Sequence, residues 1–311
     1  MKVYDGCSCR LGNALFRYMA SSLFCIIYGG ERTYNEHECN AVISEDQFKQ
    51  WSNTILNTNQ VPSIINTRLI YKFSDFYQTD IYKLYQKELI AWFDMHNDDT
   101  VFGDTKNIKY RIGDLLADDL PIHKKYNMVI HLRLEDFTET DARLIIHPDS
   151  ICDIIKNINC NSNSNSNSNS NSNINSNSNI NSNSNINSNS NINSNINSNI
   201  NSICIVCNQP KTEIELKYIN YIQMCNGNIP FESNDVITDF NIIRNANVLI
   251  CSISTMAWVA GFLSKNLKQV YFPKNKFAGW SNQTFSTIIN NTVYYENKLC
   301  NKRDLELFFK N

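Results

Sequence analysis

Four short apolar runs constrain the fold of this chain more than any other feature. They span residues 127–134 (NMVIHLRL), 203–207 (ICIVC), 248–252 (VLICS) and 269–272 (QVYF), the last closed by Pro273. Each is too short for a stable helix and is apolar at consecutive rather than alternate positions, which reads as a strand covered on both faces. Helical patterns alternate with them. One covers residues 149–158, and another starts at Pro210 and runs to about Met224 with Ile214, Tyr218, Ile219 and Ile222 on one face. A third covers 255–263. Strands alternating with amphipathic helices predict an α/β fold built on parallel sheets, and ligands of such sheets sit at the carboxyl ends of the strands. Upstream, residues 2–4 read as a short strand, 13–27 as a helix, and 80–93 as helical. The Pro-containing loop 118–125 suggests a boundary near residue 125, dividing the chain into an N-terminal α/β domain (1–125) and a C-terminal one (126–311).

One segment cannot belong to any core. Residues 160–202 are almost pure Asn and Ser with six isoleucines, and carry no charge. Set aside, they leave 268 of the 311 residues, with a charged fraction of about 22 % and an apolar fraction of about 46 %, ordinary globular values. That length suffices for two compact domains. The run falls between a helix and a strand, a surface connection where a long excursion adds little closure entropy. Its isoleucines at 174, 180, 186 and 192 repeat every six residues, but a chain without glycine and with one apolar residue in six reads as a disordered linker rather than a β-solenoid.

The formal net charge of −2 argues against a protein that coats nucleic acid. The start of the chain lacks a basic segment followed by a long apolar one, and the apolar stretches 15–28 and 256–263 are too short or too interrupted to span a bilayer. The expectation is a soluble, cytoplasmic protein. Its eleven cysteines are scattered and odd in number. Cys204 and Cys207 form a C-x-x-C inside a strand instead of between strand and helix, and no second pair completes a zinc set, so free thiols and no metal are expected.

Three strand-to-helix turns carry residues suited to an anion. In Cys9-Arg10-Leu11-Gly12-Asn13, a Gly-Asn turn opens a helix whose first N–H groups point outward, with Arg10 adding charge. It is not a G-x-G-x-x-G dinucleotide fingerprint, and an ordinary turn explains it as well. In His131-Leu132-Arg133-Leu134-Glu135-Asp136, alternation puts His131 and Arg133 on one face at the strand end, where a guanidinium can grip a diphosphate. An Arg133–Asp136 ion pair is the bland alternative. In Ser252-Ile253-Ser254-Thr255, a hydroxyl at a helix N-terminus serves either as a cap or as an anion ligand. Taken together, the three turns point to a nucleoside diphosphate held in a cleft between two α/β domains.

These segments resemble a known family. CRLGNALF resembles the G-[GR]-[LF]-G-N-Q-[LM]-F opening of the alpha-1,2-fucosyltransferases (glycosyltransferase family 11). VIHLRLEDF resembles the H-x-R-x-x-D motif that they share with other fucosyltransferases, and DFNIIRNANVLICSISTMAWVAGFL is similar to their last motif. The resemblance implies a GT-B fold with two Rossmann-like domains facing a cleft. It also implies inverting, metal-independent transfer of L-fucose from GDP-fucose to a glycan hydroxyl, with no cofactor beyond the donor. Carried over, Arg133 would hold the β-phosphate, with His131 near the nucleotide. Asp239 would contact guanine, and Ser254 and Thr255 would meet the phosphates. Gly12 and Asn13, with Arg10, would face the donor across the cleft. The catalytic base falls to Glu139 or Asp141.

The chain departs from the family where it matters. The second arginine and the glycine after Arg133 are Leu134 and Glu135, the Gln of G-N-Q is Ala14, and two acids of the middle motif are Asn208 and Gln209. These changes keep open another nucleotide-sugar donor, or a non-catalytic nucleotide- or glycan-binding descendant. Residues 30–120, with Trp51, Tyr71, Phe73, Phe76 and Tyr77 as possible sugar-stacking groups, match least, so the acceptor is not readable. If the Asn/Ser run only loops out, deleting residues 161–202 leaves folding and GDP binding unchanged in calorimetry. A chain that no longer folds would show the run to be structural.

Overall fold

The computed structural model describes residues 2–5, 10–28, 31–34, 64–66, 82, 85–103, 108–119, 121, 124–138, 145–164, 203–274 and 291–310. Trp51, Tyr71, Phe73, Phe76, Tyr77, Glu139, Asp141 and most of the Asn/Ser run lie outside them.

The N-terminal part is built on β1 (Lys2–Asp5), which leads to helix α1 (Leu11–Tyr28). Strands β2 (Glu31–Tyr34) and β3 (Ile64–Asn66) flank β1 in a parallel three-stranded sheet. Helix α1 carries a single charge, Arg17, and is apolar nearly all round. Such a helix belongs inside a protein, and Leu15, Tyr18, Met19 and Leu23 are fully buried. After α2 (Gln86–Met95), the antiparallel hairpin β4 (Thr100–Gly103) and β5 (Ile108–Arg111) leads to the single turn α3 (Ile112–Leu115).

The C-terminal part begins with β6 (Met128–His131), followed by the short α4 (Glu135–Thr138), β7 (Ile145–Ile146) and α5 (Pro148–Ser164). Next come β8 (Ile203–Val206), α6 (Glu213–Cys225), β9 (Phe231–Glu232), α7 (Val236–Arg244) and β10 (Val248–Cys251). Helix α8 (Thr255–Phe262), β11 (Gln269–Pro273), β12 (Thr292–Tyr295), β13 (Leu299–Cys300) and α9 (Lys302–Phe308) complete the chain. Six strands form one parallel sheet in the order β12-β11-β10-β6-β8-β9, while β13 pairs antiparallel with β7. The strand that comes first in the sequence, β6, lies inside the sheet, and the chain winds outward from it in both directions. This is the doubly wound Rossmann order, with its switch point between β6 and β10. Together with the smaller parallel sheet it forms the α/β, GT-B type architecture expected from the sequence. Among the described residues, no helix is long and apolar enough to cross a membrane.

Several elements differ from the sequence expectation in instructive ways. Strand β6 stops at His131 rather than residue 134: the Leu132 N–H makes the last ladder bond to β8, to the Val206 carbonyl, and the chain then leaves the sheet. Helix α6 does not start at Pro210. Thr212 caps it, its hydroxyl accepting from Glu215 N–H, so Pro210 stands ahead of the helix. Helix α5 continues past Ile158 to Ser164, five residues into the Asn/Ser run.

The two parts meet along α1 and α8. A Cβ on Gly12 would lie 2.5 Å from the Met256 backbone nitrogen and 2.6 Å from Thr255 Oγ1, so only glycine lets the two first turns approach this closely. One turn on, Phe16 packs on Trp258 at 4.8 Å between centroids, and Trp258 stacks on Phe262 at 5.2 Å. On the far side of α7, buried Arg244 donates to the Ala117 carbonyl at 2.8 Å and to Asp118 at 2.7 Å, tying the segment after α3 to the large sheet. Gly12→Ala should cost about 1–3 kcal/mol of unfolding free energy, measured by urea denaturation. Stability equal to the parent would show that the helices separate freely.

Candidate functional site

A cavity of about 340 Å³ lies at the carboxyl ends of the strands, by the switch point, against the start of α1. The residues after β6 supply His131, Arg133 and Glu135; those after β8 supply Asn208 and Lys211; those after β10 supply Ser254, Thr255 and Met256. Arg10, Leu11 and Gly12 close it from the N-terminal part, with Tyr110 from β5. Helices α1, α7 and α8 all begin at this cavity, and each N-terminus carries roughly half a positive charge.

Six of the sequence-expected residues are therefore brought together: Arg10, Gly12, His131, Arg133, Ser254 and Thr255. Alternation along a strand is not what unites His131 and Arg133, since β6 ends at His131; the loop that follows carries Arg133 back to the same cavity. Ser254 is the N-cap of α8, its hydroxyl accepting from Ala257 N–H. Asn13 is half-buried within α1 and does not line the cavity, and neither does Asp239. The bases expected at Glu139 and Asp141 lie outside the described residues.

His131 is 4 % exposed, and its Nδ1 has no hydrogen-bond partner. Burial and then the Arg133 charge push its pKa down to about 3, so the ring is neutral. Next to it, Ser252 donates its backbone N–H to the His131 carbonyl, and its buried hydroxyl also lacks a partner. Two orphan polar groups at neighbouring strand ends are costly unless a ligand or water completes them. Arg133 is half-buried on the cavity wall.

Glu135 is engaged on both oxygens, with Arg10 Nη1 at 3.1 Å and Lys211 Nζ at 3.2 Å. Burial alone would raise its pKa, but hydrogen bonds from Asn208 and Lys211, together with the Arg10 and Lys211 charges, bring it below the ordinary carboxylate value. A carboxylate so held is a poor proton acceptor. Behind this triad, buried Glu215 accepts from the Lys211 backbone N–H at 2.6 Å and from the Thr138 hydroxyl, anchoring both flanks.

Asp239 is buried in the first turn of α7, where its carboxylate accepts from the backbone N–H and side-chain amide of Asn234 at 3.1 and 3.0 Å. Burial raises its pKa to about 6, against those hydrogen bonds, with Asp235 raising it and Lys124 lowering it further. Cys204 and Cys207 are free, buried thiols, both pushed up to about 12 chiefly by burial.

Lys211, Tyr110, Val236 and Met256 were not singled out from the sequence. The signal for Lys211 was available: a cation directly between a strand end and a helix N-cap. Tyr110 comes from the region with least resemblance to any motif.

The sequence matches no family model and no curated protein. Among solved structures, the chain is similar to E. coli heptosyltransferase WaaC with ADP. The TM-score is 0.44 at 8 % identity, with 100 % of this chain and 99 % of that one covered. The same enzyme with ADP-2-deoxy-2-fluoro heptose gives a TM-score of 0.40 at 8 % identity and equal coverage.

The acid-stability profile should reveal Asp239. Its folded pKa of about 6 lies above the ordinary 3.8, so its contribution is present below about pH 4 and is lost as pH rises through 6. His131 has the opposite sign: its contribution is present above 6.5 and is lost as pH falls toward 3. Asp239→Asn should therefore gain on the order of 2–3 kcal/mol at pH 7 relative to its effect at pH 4, read from urea denaturation at the two pH values. An equal effect at both would refute the raised pKa.

Proposed function

We propose that this protein is a glycosyltransferase that holds a nucleoside diphosphate sugar in the switch-point cavity, and that the donor is GDP-fucose, transferred with inversion to a glycan hydroxyl. The observation that carries the reading is the convergence at one cavity of Arg133, the α1 and α8 N-termini and an unpartnered His131 nitrogen. Cleaving a sugar–phosphate bond builds negative charge on the departing diphosphate. Donors already aimed at that charge stabilise the transition state. Arg133 takes the β-phosphate, the Ser254–Thr255 turn donates to phosphate oxygens, and neutral His131 donates or accepts one hydrogen bond without adding charge. The acceptor's proton goes to Glu139 or Asp141, the acids expected from the sequence to act as base. The fucose-specific part rests on the motif resemblance.

A second reading keeps the reaction and changes the donor. Asp239, the residue expected to meet guanine, is engaged with Asn234 and does not line the cavity. This favours testing other bases. Calorimetry with GDP, ADP and UDP, followed by turnover of the matching fucosyl and other sugar donors, decides between the readings. Tight GDP binding supports the first; binding of ADP or UDP alone supports the second; no nucleotide binding overturns both. Arg133→Ala should lower kcat about 10²- to 10³-fold with an unchanged unfolding midpoint, because Arg133 lies on a cavity wall outside the core.

A further inference from the structure

The triad Arg10–Glu135–Lys211 asks for an explanation that the phosphate site alone does not supply. A carboxylate on the wall of an anion cavity opposes the ligand, and the resembling family has glycine at this position. Here Glu135 is 18 % exposed in its side chain, whereas Arg10 and Lys211 are 48 % and 67 % exposed. The anion is thus the better packed partner, and the cations are long and exposed. Glu215 reinforces this by pinning the backbone at Lys211 and the α4 hydroxyl of Thr138. Partly exposed ion pairs contribute little net stability, so a ligand can take these cations at small cost.

Resting on the reading of the cavity as a nucleotide-sugar site, we propose that Glu135 is a specificity-determining residue that discriminates by ligand charge. In the empty protein it is the counter-ion of Arg10 and Lys211. A ligand whose terminal phosphate recruits those two side chains leaves the carboxylate without a cation, held by Asn208 alone, and facing it. A nucleoside diphosphate carries a further negative charge on its terminal phosphate that its sugar ester lacks. The penalty therefore falls on the diphosphate product more than on the donor, which favours release after transfer. Arg10 approaches from the N-terminal part and Lys211 from the β8–α6 connection, so the same exchange changes how the two walls of the cavity are tethered.

The test is calorimetry on the full-length chain with inorganic pyrophosphate, GDP and GDP-fucose, comparing the parent with Glu135→Gln. The variant should bind pyrophosphate and GDP about tenfold more tightly and GDP-fucose less than threefold more tightly. Unchanged or weaker pyrophosphate binding overturns the proposal, as does equal tightening of GDP and GDP-fucose. The pyrophosphate arm needs no base or sugar. A parent that binds pyrophosphate but neither nucleotide refutes the donor assignment while leaving Glu135 to be judged on that arm. A parent that binds none of the three refutes both. Lys211→Met, at an exposed position, gives a reading that does not depend on Glu135→Gln folding. It should weaken pyrophosphate about tenfold, and unaltered affinity there would also overturn the proposal.

Discussion

The absence of a side chain at Gly12 sets the geometry on which the rest depends. With backbone nitrogen and hydroxyl atoms within 2.6 Å of where a Cβ would stand, α1 and α8 meet side by side from their first turns. Two helix N-termini brought together repel one another, since each carries a partial positive charge. The aromatic contacts Phe16–Trp258 and Tyr82–Trp258 hold them there from one turn further along. The arrangement is apolar adhesion working against electrostatic strain, and the strain is localised where an anion would relieve it.

How polar burial is distributed supports the same view. Buried Arg244 and Glu215 are fully engaged: the first by Asn241, Ala117 and Asp118, the second by Lys211 and Thr138. These are structural groups, and each ties together segments distant in sequence. His131 and Ser252 are as buried but incomplete, and they sit at the ends of the two strands that flank the switch point. A buried group without a partner is destabilising. Trp92 Nε1 and Trp258 Nε1 are buried without a partner as well, away from the cavity, so the His131–Ser252 pair points to the site only because His131 also lines the cavity.

Most of the scaffold was legible in the sequence because both-face burial writes itself as consecutive apolar residues. All four strands of the C-terminal core are found within a few residues of where the apolar runs place them. What local pattern could not give was strand order: nothing in VLIC or MVIH says that they are neighbours. Strand ends were also illegible, because Leu132 and Leu134 are as buried off the sheet as on it. At the site, residues that terminate strands or cap helices were found from their turns, including Ser254 and His131. Asp239 was assigned by resemblance alone, and its place beside Asn234 depends on a tertiary contact. Lys211 was hidden for the converse reason, since Pro210 read as the helix start and drew attention away from the residue after it.

The departures from the resembling motif look different once placed in the fold. The family's second arginine is here Leu134, which is 3 % exposed and packs into the core while edging the cavity. A guanidinium there would need a partner, and Cys207 beside it offers none of the right charge. Besides Arg133, the cavity draws positive charge from Lys211 in the β8–α6 connection and from Arg10 across the cavity. Charge on long, exposed side chains is adjustable, and such cations need a counter-charge to hold them at the cavity. Glu135, standing where the motif has glycine, meets that requirement. Glu135, Arg10 and Lys211 are thus one electrostatic unit: the less exposed carboxylate holds two exposed cations at the cavity wall.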